Sequence, residues 1–215
     1  MNVKLSLTPA ATSANGIAAA IAYSGGGYAL TTTTMSDSLA HIITIGGLAA
    51  TDHSGKTFTI TGTDADDNPQ TEGIAGPNGV ATVSSTYHYK TVTSVTVSAT
   101  TGADTFNLGY TAVAVSKTIP TNWRANAVEI SLGLIITGTI SVTVQHTLDA
   151  INVVDENNVS TTADYFAWLP HSVLATTSAS ADGNYAFPIT ATRLLVNSVT
   201  ATATVAFSVV QANNA

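Results

Sequence analysis

The sequence predicts an all-β protein made of two small antiparallel units of the β-sandwich or jelly-roll kind. Only 9% of the 215 residues are Asp, Glu, Lys or Arg. Residues 56–63, 93–98 and 139–145 alternate apolar with small polar side chains at a period of two. Such alternation places one face of a strand in a core and the other in water. The many β-branched side chains favour strands as well, because they fit a pleated, half-buried surface.

The elements follow one another with turn residues between them. The alanine-rich segment 15–23 could form a helix, which the glycines at 25–27 would end. A strand over 57–63 turns at 64–68 and returns over 70–74, and a further strand covers 92–97. In the second half, strand patterns cover 139–145 and 203–211. Gly, Asn, Asp and Pro recur between strands at the spacing of about 8 to 12 residues that is typical of sandwiches and barrels.

A boundary between two folding units is predicted at the segment 116–122, where Pro120 interrupts the strand pattern. The predicted domains are residues 1–118 and 119–215, each of a common domain size. We expect the connection itself to be exposed. The pair Trp123-Arg124 is expected to begin the first strand of the second unit.

Charge and composition exclude several classes of partner. The formal net charge is −7, and the six basic residues are scattered, so no patch could neutralise several phosphates of a nucleic acid. No apolar run approaches the ~18 residues that a membrane-spanning helix needs. Cysteine is absent, which excludes disulfides and thiolate metal sites.

One segment has the start of a calcium loop. Asp64-Ala-Asp66-Asp67-Asn68 offers alternating oxygen ligands, but the sixth position is Pro69 and the twelfth is Ala75. A calcium loop needs a turn glycine and a bidentate acid at those places. A hairpin turn, in which Asp and Asn bond to their own backbone, explains the segment better.

The remaining chemistry-bearing residues favour no catalytic, metal or cofactor site. Asp52-His53-Ser54 has the residue types of a hydrolase triad, but consecutive residues of an extended chain point to opposite faces. Asp149, Asp155 and Glu156 could pair as in a glycoside hydrolase, although a solvated acidic loop fits them better. No metal-ligand spacing relates the five histidines, which are His41, His53, His88, His146 and His171. A non-enzymatic protein without cofactors is therefore predicted.

Five residues are candidates for contacts with other subunits. Trp, Tyr and Arg are enriched at interface hot spots. These residue types cluster in Trp123, Arg124, Tyr165, Phe166 and Trp168. The alternative is that the two tryptophans anchor the core of the second unit.

Two parts of the chain resemble β modules of tailed-bacteriophage virion proteins. These parts are residues 54–79 with 86–97 in the first half, and residues 142–149 with 181–198 in the second. The resemblance implies a virion structural protein on the capsid exterior or tail, with the major capsid protein or other virion proteins as its expected partners. A capsid decoration or cement protein that forms a homo-oligomer, most often a trimer in that class, is the first expectation. A head-to-tail adaptor, a tail or fibre component, and a carbohydrate-binding adhesive module are the alternatives.

Overall fold

The computed structural model describes residues 1–23, 26–124, 129–151, 166–200 and 202–211. These residues form strands and turns and contain no helix, so the all-β prediction is confirmed. In particular, none of them forms an apolar helix of membrane-spanning length. The strands are β1 Asn2–Leu7, β2 Ser13–Ala22, β3 Ala40–Gly47, β4 Thr57–Thr63, β5 Pro69–Ala75, β6 Thr82–Tyr89, β7 Thr91–Val97, β8 Thr105–Val115, β9 Ile119–Pro120, β10 Ile130–Thr137, β11 Ile140–Thr147, β12 Leu169–Pro170, β13 Ala181–Tyr185, β14 Ala191–Val199 and β15 Thr204–Gln211.

The chain divides into two compact units. The continuous unit comprises Thr12–Ala114, and the composite unit comprises Met1–Ala11 together with Val115–Ala215. The predicted domains, 1–118 and 119–215, differ from this division chiefly at the N-terminus. Residues 1–11 belong with the C-terminal half because β1 pairs antiparallel with β15, from Asn2 opposite Val210 to Leu7 opposite Val205.

The continuous unit contains two antiparallel sheets that contribute to one hydrophobic core. In one sheet β4 lies between β5 and β7, and in the other β3 lies between β6 and β8, with β2 added to β8. The two sheets meet through aromatic side chains. The rings of Phe58 on β4 and Phe106 on β8 are both buried, and their centroids lie 5.3 Å apart in an edge-to-face arrangement. Such pairs stabilise a core beyond the area that they bury.

The composite unit also contains two antiparallel arrangements. One sheet has the order β1-β15-β10-β13, and in the other arrangement β11 lies between β12 and β14, with β9 added to β14. Alternate residues of β10, namely Ile130, Leu132 and Leu134, are buried. This is the period of two expected of a strand with one face in a core.

Two local predictions are wrong. The segment 15–23 is not a helix, because most of it forms β2, whose Ile17 and Ala18 are buried and which pairs with β8 through two register shifts. Pairing with a distant strand overrides the weak helix preference of the alanines. The pair Trp123-Arg124 does not begin a strand either. It lies in a turn after β9, and the next described strand begins at Ile130.

The segment 116–122 is exposed only in part, because Lys117, Pro120 and Asn122 are exposed but its other residues are not. Ser116 and Ile119 are buried, and β9 pairs with the beginning of β14. Ser116 donates its backbone N–H to the carbonyl oxygen of Leu194 at 2.9 Å and accepts the Leu194 N–H on its hydroxyl at 3.0 Å. The backbone N–H groups of Ser116 and Leu194 are thus both bonded within the composite unit.

The predicted hairpin over 57–74 is confirmed. β4 and β5 pair in register from Thr57 opposite Ala75 to Thr63 opposite Pro69. Between them, Asp64 accepts the N–H groups of Asp66 and Asn68 on Oδ1 and the side-chain amide of Asn68 on Oδ2. Asp67 has the left-handed φ of 67° that such turns need. The Asp64 carboxylate therefore accepts hydrogen bonds from the turn itself. In a calcium loop, the same carboxylate would coordinate the ion.

Candidate interaction site

The structure places the candidate contact residues in two short segments of the composite unit. Trp123 and Arg124 follow β9, while Phe166 and Trp168 precede β12. Tyr165 lies outside the described residues. About forty residues of sequence separate the two segments, so their positions depend on how β9, β11 and β14 pair.

Trp123 and Arg124 form a stacked pair on the surface. The guanidinium carbon of Arg124 lies 4.5 Å from the centroid of the Trp123 ring. Trp123 is 46% exposed, so the alternative that it anchors the core is wrong. A cation over an exposed indole contributes about 0.5 to 1 kcal/mol, which is enough to bias both side chains toward this arrangement.

An open cavity of about 430 Å³ adjoins the stacked pair. Its described lining combines apolar groups with one cation, including Pro120, Asn122, Trp123, Arg124, Ile151 and Thr190. Ligand sites are typically concave and largely apolar, with a few polar groups that fix orientation. The volume lies within the range of about 300 to 1,000 Å³ that is common for such sites.

Gln211, at the end of β15, holds the backbone beneath Trp123. Its side-chain Oε1 accepts the N–H of Asn122 at 2.8 Å, and its Nε2 donates to the carbonyl oxygen of Asn122 at 2.8 Å. Gln211 is only 2% exposed, and its own N–H donates to the carbonyl oxygen of Met1 at 2.9 Å. The Gln211 side chain therefore bonds to both backbone groups of Asn122, as a neighbouring strand would. These two bonds fix the start of the Trp123-Arg124 turn.

Hydroxyl groups around the cavity are committed to internal bonds. Thr121 Oγ1 donates to the carbonyl oxygen of Ile189. Thr190 Oγ1 lies within hydrogen-bond distance of the carbonyl oxygens of Thr147 and Asp149, at 2.9 and 2.6 Å. Their single hydroxyl protons are thus used to hold the wall of the cavity together.

Phe166 and Trp168 form a second aromatic cluster around a buried cation. Arg193 on β14 is only 5% exposed, its guanidinium carbon lies 4.2 Å from the centroid of the Trp168 ring, and its Nε donates to Gln145 Oε1 at 2.9 Å. Phe166 meets Trp168 edge to face, with 6.4 Å between ring centroids. Trp168, which is half-buried, thus helps to shield a charge that would be costly to bury alone.

A bridge of hydrogen bonds joins the cavity wall to this second cluster. The carbonyl oxygen of Asp149 accepts from Thr190, and Asp149 Oδ2 accepts the N–H of Ala167 at 2.7 Å. Asp149 was a candidate acid on sequence grounds. In the structure its carboxylate caps the backbone beside Trp168. The other two acids considered with it, Asp155 and Glu156, lie outside the described residues.

Gln211, Arg193 and Gln145 are the supporting residues that sequence reasoning missed. A glutamine at the end of a strand pattern carries no local signal, because its partner Asn122 lies 89 residues away. The one available hint is that Gln145 and Arg193 are large polar residues within strand patterns whose other polar residues are mostly small. Arg193 is buried, and buried polar residues usually have hydrogen-bond partners.

His53 has a carboxylate partner, but not the one beside it in sequence. Its Nε2 donates to Asp104 Oδ2 at 3.0 Å, and its Nδ1 lies 3.1 Å from the Nζ of Lys56, which also donates to the carbonyl oxygen of Thr100. Hydrogen bonds from Thr51 and His53 lower the pKa of the Asp104 carboxyl. Both ring nitrogens of His53 are therefore engaged, and neither is left to act as a general base.

A buried aromatic cluster contains two further histidines. The Nδ1 of His146 lies 3.2 Å from Tyr185 Oη, and the Tyr185 ring also contacts the His171 ring, with 4.8 Å between centroids. His171 Nδ1 accepts the N–H groups of Val173 and Leu174, both at 3.1 Å, which assigns the hydrogen to Nε2. Burial lowers the pKa of His146 and raises that of Tyr185. These groups fix a loop to β11 and are enclosed by the fold.

Within the described part of the chain, no three His, Asp or Glu side chains converge as metal ligands would. Comparisons of the chain with protein-family models, with curated proteins and with solved structures find no match. The function is therefore argued from the residues themselves. Their most distinctive arrangement is the stacked Trp123-Arg124 pair beside the cavity.

Proposed function

We propose that the chain is a non-enzymatic structural protein of a tailed-phage virion, most simply a capsid decoration or cement protein. It works as a homo-oligomer whose subunits bridge neighbouring shell proteins. The phage assignment comes from the resemblance of its strand and turn patterns. The observation that supports association is the exposed Trp123-Arg124 pair, held in place from below by Gln211.

The physical mechanism is the addition of buried interface area. Standard interfaces bury about 1,200 to 2,000 Å², and hot spots within them are enriched in Trp and Arg. Repeating such a contact around a closed shell gives each subunit several attachments, so release requires breaking all of them. The net charge of −7 suits a part on the outside of the shell better than one that lines packaged nucleic acid.

Copy number and association test this proposal. Mass spectrometry of purified particles that carry the chain should find a copy number comparable to that of the shell protein. A copy number matching the low symmetry of a tail would favour an adaptor, tail or fibre component instead. Light scattering at micromolar concentration should show a defined oligomer, or else binding to assembled shells. A monomer without affinity for shells would contradict the decoration role.

A matched pair of variants tests whether Trp123 carries the contact. Trp123→Ala should weaken association by about 2 kcal/mol or more, as expected of a hot spot. Ile135→Ala removes another exposed apolar side chain of the same unit, on β10, and should have little effect. Equal effects of the two substitutions would show that the association surface lies elsewhere.

A further inference from the structure

We propose that the cavity beside Trp123 and Arg124 binds a protein segment that presents an apolar side chain next to a carboxylate. This inference rests on the proposed function in one respect, which is that the partner is a protein. It adds the chemical character of the segment that the partner must supply.

Arg124 supplies the charge complementarity. The described ion pairs engage His41, His53 and Lys90, and none of them involves Arg124. The exposed guanidinium lies over the Trp123 ring, and no hydrogen bond among the described residues uses its N–H donors. The fork that these donors form matches a carboxylate, which it can bind through two parallel hydrogen bonds.

The rest of the lining favours an apolar neighbour for that carboxylate. Pro120, Ala150 and Ile151 contribute apolar surface to the cavity, and the indole of Trp123 adds more. Filling such a concave apolar site with a side chain removes water from both surfaces. A small inorganic anion could bind to Arg124, but it would leave the apolar part of the cavity exposed to water.

A carbohydrate is a poorer match because its hydroxyl groups need several free donors and acceptors. The hydroxyl protons of Thr121 and Thr190 are used within the wall, and both backbone groups of Asn122 are bonded to Gln211. Leaving sugar hydroxyls without partners in a desolvated site costs binding energy. The aromatic ring alone therefore does not make this cavity a sugar site.

Fluorescence anisotropy with short labelled peptides tests the proposal on the intact chain. The probes are glycine-flanked hexapeptides with a central leucine–glutamate pair, and the same peptides with glutamine or lysine in place of glutamate. An acidic oligosaccharide, tetragalacturonate, is the competing ligand. The glutamate peptide should bind about tenfold more tightly than the glutamine peptide, as one charge-assisted pair can provide. Added salt should weaken its binding.

Two variants locate the binding. Arg124→Gln should reduce the affinity for the glutamate peptide to that for the glutamine peptide. Lys117→Gln removes one exposed cation from the same unit and should leave the affinity unchanged. Circular dichroism and the melting temperature of each variant check that the fold is retained.

Equal binding of the glutamate and glutamine peptides, no effect of Arg124→Gln, or no peptide binding at millimolar protein would overturn the inference. So would tighter binding of tetragalacturonate than of any peptide, which would indicate an adhesive module. These failures differ from failure of the proposed function. If Arg124→Gln leaves peptide binding unchanged and the protein still binds assembled shells, the structural role stands and the partner binds to another surface.

Discussion

Acid should destabilise this protein through His146. This residue on β11 is 7% exposed, and its ring packs edge to face on Tyr185 with 4.9 Å between centroids. Burial is the main reason that its pKa lies below the ordinary value of 6.5, and the neighbouring His171 lowers it further. The folded protein therefore resists a proton that the unfolded chain readily accepts.

The direction and size of the effect follow from linkage between proton binding and unfolding. Well above pH 6.5 His146 is neutral in both states, so its full contribution to stability is present. As the pH falls through this value toward the folded pKa, only the unfolded state takes up the proton. One proton changes the free energy of unfolding by at most about 1.4 kcal/mol per pH unit. Asp52 and Asp104 have pKa values lowered from 3.8, so their contributions are lost only at more acidic pH.

Urea unfolding at pH values from about 8 to about 5 measures this effect, with His146→Gln as the matched variant. The glutamine amide can still bond to Tyr185 but takes up no proton. The wild-type protein should lose stability relative to the variant over the lower part of that range, at no more than the slope of about 1.4 kcal/mol per pH unit that one proton allows. Nuclear magnetic resonance should report a His146 pKa below 6.5. A constant difference between the two proteins at every pH would refute the reasoning.

Three further predictions concern other parts of the fold. Gly62→Ala should destabilise the protein by more than about 1 kcal/mol, which is the scale of overpacking. An added Cβ would lie 1.9 Å from the carbonyl oxygen of Thr91, the first residue of β7. The control Gly55→Ala places its Cβ with nothing within 4 Å and should be nearly neutral in a thermal melt. Gln211→Ala should lower the free energy of unfolding by about 1 to 2 kcal/mol, since it removes two hydrogen bonds to Asn122. It should also shift the tryptophan emission, and an unchanged spectrum would mean that Gln211 does not fix the Trp123-Arg124 turn. A chelator should leave the melting temperature unchanged because N–H donors fill the carboxylate of Asp64, and a drop restored by calcium would contradict this interpretation.

The strands and turns that the sequence predicted correctly are those whose signal is local. Alternation over 57–63 places Phe58 and Ile60 on one face, and both are buried in the structure. The Asp64 turn was also predictable, because its donors and acceptors lie within four residues of one another. In both cases the information sits inside one element, and no distant partner is needed to interpret it.

The misassigned elements depend on partners far along the chain. Residues 15–23 have a composition that suits a helix, yet β2 is a strand because β8 supplies its hydrogen bonds. Residues 2–7 join the composite unit because β15, about two hundred residues later, is their neighbour. Local propensity contributes less free energy than such strand pairing does, and the sequence of one segment does not show which strand it will pair with.

The candidate site shows the same division. Residue type alone was enough to select Trp123 and Arg124 as contact candidates, since large amphipathic side chains are those that interfaces use. The sequence by itself also determined the all-β class, the acidic balance and the turn at Asp64. Only the tertiary structure decided that Trp123 lies on the surface beside a cavity, whereas Trp168 shields a buried arginine. Exposure is a property of the neighbours that a side chain meets, and those neighbours are brought together by strand pairing across the length of the chain.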